Sequence, residues 1–82
     1  MEKRIGSLLI LIENPQSITQ INEILSLHNQ IILGRQGIPL HNKNISVISI
    51  VLEGTTDEIG SLSGKLGKLV GIQVKSVLVR AN

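Results

Sequence analysis

Few side chains in this chain could do chemistry, and their spacing narrows the options quickly. Imidazole is the commonest neutral metal ligand, yet only His28 and His41 are present. They stand far apart in the chain with no carboxylate at chelating spacing, whereas protein zinc sites need about three or four ligands. Both histidines therefore read as structural, His28 beside the apolar face near the end of a helix, where a partly charged imidazole suits the dipole; no metal is expected unless subunits share a site. Arg35 next to Gly37 is the better candidate: a planar guanidinium at an uncrowded stretch of backbone can hold a carboxylate or phosphate. The same arginine could equally guard an edge strand. Thr55 and Thr56 start a helix whose free amides would attract an anion, although ordinary capping explains them. The run Gly60-Ser61-Leu62-Ser63-Gly64 has serines between glycines, but a nucleophile elbow needs its serine on a sharp strand-to-helix turn beside a general base. These serines fall inside a helix, so no catalytic residue and no enzyme activity are expected.

The elements that must position these groups follow from periodicity. Residues 4–12 hold the unbroken run LLILI, too short for a stable helix and bounded like a buried strand. Asn14 is a good N-cap with Pro15 at the first helical position, and Ile18, Ile21, Ile24 and Leu25 continue at helical spacing to residue 28. Residues 30–38 read as a second strand, ended by Pro39, with Gly34 and Gly37 marking bulges or a close backbone. After a polar turn, residues 45–52 (ISVISIVL) form a third, β-branched strand. Thr55 and Glu58 make a capping box, and Ile59, Leu62, Leu66, Leu69 and Val70 give a second helix to residue 70, closed by Gly71. Residues 72–79 return as the fourth strand.

This order, βαββαβ, predicts an α+β ferredoxin-like fold: one four-stranded antiparallel sheet with both helices on one face. The first and third strands are the most continuously apolar and belong in the centre; the second and fourth carry Arg35, Gln36, Gln73 and Lys75 and belong at the edges.

Composition sets the remaining bounds. The 82 residues include no cysteine, phenylalanine, tyrosine or tryptophan, so the core must be aliphatic and no disulfide can staple it. A sheet covered on one side should alternate apolar and polar residues. The first strand does not, so another copy of the chain is expected on the second face, as a dimer or tetramer. Gly60, Gly64, Gly67 and Gly71 share one helical stripe; an interior helical glycine costs about 1 kcal/mol against alanine, and Gly60, Gly64 and Gly67 are read as helix-packing positions that another backbone approaches. Eight basic against six acidic side chains, dispersed and without aromatic interleaving, argue against direct nucleic-acid binding by this chain alone. No segment reaches the ~20 apolar residues of a membrane span, the N-terminal apolar run lacks a signal-peptide cleavage pattern, and the missing cysteines fit a cytoplasmic setting.

The segment DEIGSLSGKLGKLVGIQVKSV at residues 57–77, with RQGIP at residues 35–39, closely resembles a bacterial family of proposed regulators of the iron-only hydrogenase system. The likeness extends over nearly the whole chain. That family is similar to ACT domains and to the C-terminal domain of the nickel-responsive repressor, which implies the fold derived above and a regulatory role through self-association and small-ligand sensing. The alternative is an assembly protein for metallocluster maturation with no ligand of its own. Neither the repressor's ribbon-helix-helix segment nor its histidine-cysteine metal site is present. ACT domains carry an acidic-basic-Pro-Gly turn after the first strand, where ligand contacts form; here it reads Glu13-Asn14-Pro15-Gln16. The resemblance thus adds Asn14 to Arg35 and Gly37 as candidate ligand-binding residues, and no cofactor.

Overall fold

The computed structural model describes residues 2–80; of the expected unit spanning 1–82, Met1, Ala81 and Asn82 lie outside them. The strands are β1 (Arg4–Ile12), β2 (Ile32–Leu40), β3 (Ile45–Gly54) and β4 (Ile72–Arg80), and the helices α1 (Ile18–Leu27) and α2 (Thr56–Gly67). They form one antiparallel sheet in the order β2-β3-β1-β4, the expected ferredoxin-like arrangement with β1 and β3 central.

The core lies between the helices and the sheet. It consists of Leu8, Ile10 and Ile12 from β1, Ile48, Ile50 and Leu52 from β3, Ile21 and Leu25 from α1, and Ile59, Leu62 and Leu66 from α2. Burying each such aliphatic side chain contributes roughly 1.5–3 kcal/mol, and this set takes the place of the missing aromatic residues. β1 is apolar on both faces in sequence, yet its burial alternates strictly from Gly6 to Ile12 in step with the pleat. Its second row, with Leu9 half exposed, lies on the sheet face away from the helices.

Local chemistry fixes the corners. The capping box at the start of α2 is complete: the Thr55 amide donates to Glu58 Oε1 (2.8 Å) and the Glu58 amide to Thr55 Oγ1 (3.2 Å). Asn44 takes the left-handed conformation (φ 57°) at the turn into β3, which asparagine tolerates. Gly71 (φ +70°) leads into β4, and a Cβ there would lie 2.6 Å from Asn14 Cβ and 3.1 Å from the Asn14 nitrogen. Two bonds join the same corners, Glu13 N–H to Gly71 O (2.8 Å) and the Ser17 hydroxyl to Val70 O (2.9 Å).

Three expectations need correction. β2 runs two residues later than residues 30–38, because Asn29–Ile31 form a 3-10 turn after α1 and Pro39 lies inside the strand; an edge strand tolerates a residue without an amide hydrogen. The register of β2 is irregular between Ile32 and Gly34, so Gly34 does adjoin a bulge. The first helical segment opens as a 3-10 turn over Pro15–Ser17, and α2 ends at Gly67 rather than 70. Gly60, Gly64 and Gly67 are exposed, and a Cβ on any of them would meet nothing within 4 Å. The close approach expected at these three glycines is not made by any described part of the same chain, because α2 turns only its Ile59-Leu62-Leu66 stripe toward the sheet.

The glycines give opposite predictions. Gly71→Ala forces an L-residue into the left-handed region against Asn14 and should cost about 2 kcal/mol or more. Gly64→Ala, in mid-helix and open space, should raise stability by about 0.5–1 kcal/mol. Urea unfolding of both variants at low protein concentration checks the pair.

Candidate functional site

The sheet register determines which residues of β2 face the helices. Arg35, Gly37 and Pro39 pair with Ile50, Ile48 and Ser46 of β3, and Ile48 and Ile50 belong to the core on the helix side. Three positions of β2 therefore point toward α1, yet none of the buried core residues comes from this strand. The result is a groove of about 240 Å³ between α1 and β2.

Its floor and walls include Ile12, Ile18 and Ile48, with Asn22, Arg35 and Ser46 as polar groups. Gly37 keeps it open, since a Cβ there would meet nothing within 4 Å. At its rim Arg35 Nη2 donates to Asn22 Oδ1 at 3.1 Å, which orients the guanidinium and leaves the rest of its donor fork free. Of the predicted ligand residues, Arg35 and Gly37 come together in this groove. Asn14 does not line it: its Oδ1 accepts from the Gln16 amide (3.1 Å) and its backbone packs against Gly71. Asn22 was not among the expected residues. The available signal was its position one turn after Ile18, beside the apolar stripe of α1.

A second concavity of about 360 Å³ separates the end of α1 from the start of α2, lined by Leu27, His28, Gln30, Ile31, Asp57, Glu58 and Ser61. Lys65 Nζ lies 3.2 Å from His28 Nε2, so the ammonium donates to a neutral imidazole. Burial, and then the Lys65 charge, hold the His28 pKa below the usual histidine value. The expected favourable charge at the helix end is thus overridden. Among the described residues no hydrogen bond joins His28 to Ser61 or Asp57, and no three His, Asp or Glu side chains gather where a metal ion could be held. His41 lies elsewhere, in the turn between β2 and β3. At the start of α2 the capping box engages the Thr55 and Glu58 amides, and the bond from the Thr55 amide is the leading cause that lowers the Glu58 pKa.

The fold is that of a small ferredoxin-like domain with two concavities beside its first helix. Comparison with known proteins makes the assignment specific: residues 4–76 match the TM1266-like family, proposed regulators of the iron-only hydrogenase system, and the chain belongs to that family. The structure of the uncharacterized protein TM1266 from Thermotoga maritima is similar at TM-score 0.91 and 39% identity, covering 96% of this chain and 100% of that one. More distant structures share the fold alone. The C-terminal domain of the MgtC protein from Mycobacterium tuberculosis has TM-score 0.69 and 14% identity, covering 95% of this chain and 89% of that one. CPII from Thiomonas intermedia, bound to ADP, AMP and acetate, has TM-score 0.56 and 15% identity, covering 96% and 92%. No curated protein matches the chain in sequence, and no helix among the described residues is long and apolar enough to cross a membrane.

Because the folded His28 pKa is lowered, its contribution to stability is present above the unfolded-state pKa and is lost as pH falls from that value toward the folded one. Lys65→Ala should move the pKa up, but only part of the way, since burial is the larger cause. A proton NMR titration of the imidazole in both proteins measures this.

Proposed function

We propose that this protein is a non-enzymatic regulatory domain of the iron-only hydrogenase system that self-associates and responds to a small ligand. Membership of a family of proposed regulators supports the regulatory role. The single observation that carries self-association is the sheet face opposite the helices. By register it presents Ile5, Leu9 and Leu11 of β1, Val47 and Val51 of β3, Ile38 of β2, and Val77 and Val79 of β4. Leu9 is 51%, Val51 45%, Val77 65% and Val79 54% exposed. Ser7, Ser49, Gln73 and Lys75 interrupt these side chains, yet a soluble monomer rarely leaves so many apolar groups bare on one face.

The face also comes near the size an interface needs. Four strands at ~4.8 Å spacing and nine residues at ~3.3 Å rise span roughly 19 by 30 Å. This flat area, on the order of 600 Å² before side-chain relief, approaches the ~800 Å² per partner of stable complexes. A second copy seated face to face would form the dimer. The stripe of Gly60, Gly64 and Gly67, unmet by any described residue, offers a further close approach for a tetramer. The small-ligand part draws support from the groove at Arg35 and from CPII, a PII-like protein of the same fold solved with small ligands. A ligand that favours one arrangement of subunits would shift the population and so alter engagement of a protein partner. No nucleic-acid contact by this chain alone is part of this reading, and the cytoplasm is its setting.

Light scattering on the purified protein at micromolar concentration should give at least a dimeric mass. Val77→Lys at the edge of the face, and Leu9→Lys at its centre, should lower it to the monomer with the circular dichroism of Val77→Lys unchanged. A wild-type monomer would remove the mechanism. A regulatory ligand should raise Tm by mass action in a thermal-shift panel of metal ions, amino acids, carboxylates and nucleotides.

A further inference from the structure

The groove between α1 and β2 combines features that an edge strand does not require. Its walls are aliphatic, from Ile12, Ile18 and Ile48, and its one charged group is the Arg35 guanidinium, bonded to Asn22, with Ser46 further along opposite Pro39. Among the described residues no carboxylate lines it, and Arg35 makes no ion pair; its side chain bonds only to the neutral Asn22 amide. A cation left without a counter-charge at the mouth of an apolar recess favours an anionic group at that point and an apolar body further in. Gly37 supplies the room, because any side chain there would project into the open space over Ile48.

Charge and size together restrict the occupant. The groove's 240 Å³ falls below the ~300–1,000 Å³ typical of drug-sized sites, which selects a small metabolite. An α-amino acid would bring an ammonium group into a recess that has no acidic side chain to receive it. A bare inorganic anion would leave the apolar walls uncovered. We infer that the α1–β2 groove binds a small amphipathic monocarboxylate, its carboxylate on the Arg35 fork beside Asn22 and its short branched body against Ile12, Ile18 and Ile48. This assignment rests on the small-ligand reading above and names the chemical class of that ligand.

The test uses the intact protein and 3-methylbutanoate as probe, followed by two-dimensional amide NMR. Titration should shift the signals of Asn22, Gly37 and Ser46, while the neutral 3-methylbutanamide, leucine and inorganic phosphate shift them at least tenfold less strongly at equal concentration. Arg35→Gln should weaken binding about tenfold or more. Arg35→Lys, which keeps the charge and loses the planar fork, should weaken it less, and Gly37→Val should abolish it with the fold intact. The assignment is overturned if the amide, leucine or phosphate matches the acid, if Arg35→Gln binds unchanged, or if no groove signal moves. In that last case, a thermal shift with another compound and signals moving elsewhere would leave the sensing role standing without this site. Stabilisation by no compound of the panel would remove both.

Discussion

The structure depends on an aliphatic layer that two short helices press onto the central strands. With no ring and no disulfide available, stability must come from isoleucine and leucine interdigitating across β1, β3, α1 and α2, a packing that tolerates few gaps. Every other feature is arranged around that layer. The capping box aims α2 over it, and the corner where Gly71 meets Asn14 holds the entry to α1 against the entry to β4. The strand that contributes least to the layer, β2, is left with room above it.

That room is a matter of packing. α1 buries only Ile21 and Leu25, a narrow stripe, so its flank toward β2 carries Ile18 and Asn22 at the wall of an open recess. Gly37 raises no side chain to meet them. A larger residue at either Asn22 or Gly37 would close the gap and add core, and the chain forgoes this burial in a domain that has little to spare. Such a local loss of packing is where sequence and stability part company, and it coincides with an unpaired guanidinium.

Much of the architecture was legible because period and propensity agreed. Residues 4–12 are β1 at the same bounds, β3 and β4 start where their β-branched runs start, and the Thr55–Glu58 pattern marks a true capping box. The central place of β1 and β3 followed from the ferredoxin-like order and agreed with their being the most continuously apolar strands. The end of β2 was misplaced because proline reports what a backbone permits, not what lies beside it: Pro39 would end β2 only if that strand were paired on both sides. Gly60, Gly64 and Gly67 likewise name a stripe without naming its neighbour. At the site, Arg35 and Gly37 were visible as types, whereas Asn22 joins them through tertiary placement that no local spacing encodes. Asn14, the third candidate, lies outside this groove and caps the turn that leads into α1.

The outer rim of β2 has one more consequence. Its backbone ladder is interrupted twice, by the irregular register between Ile32 and Gly34 and by Pro39, which has no amide hydrogen to offer. An incoming strand from another molecule would find a broken template along this margin. Addition of a further strand at this edge is thereby discouraged in a protein rich in isoleucine and valine.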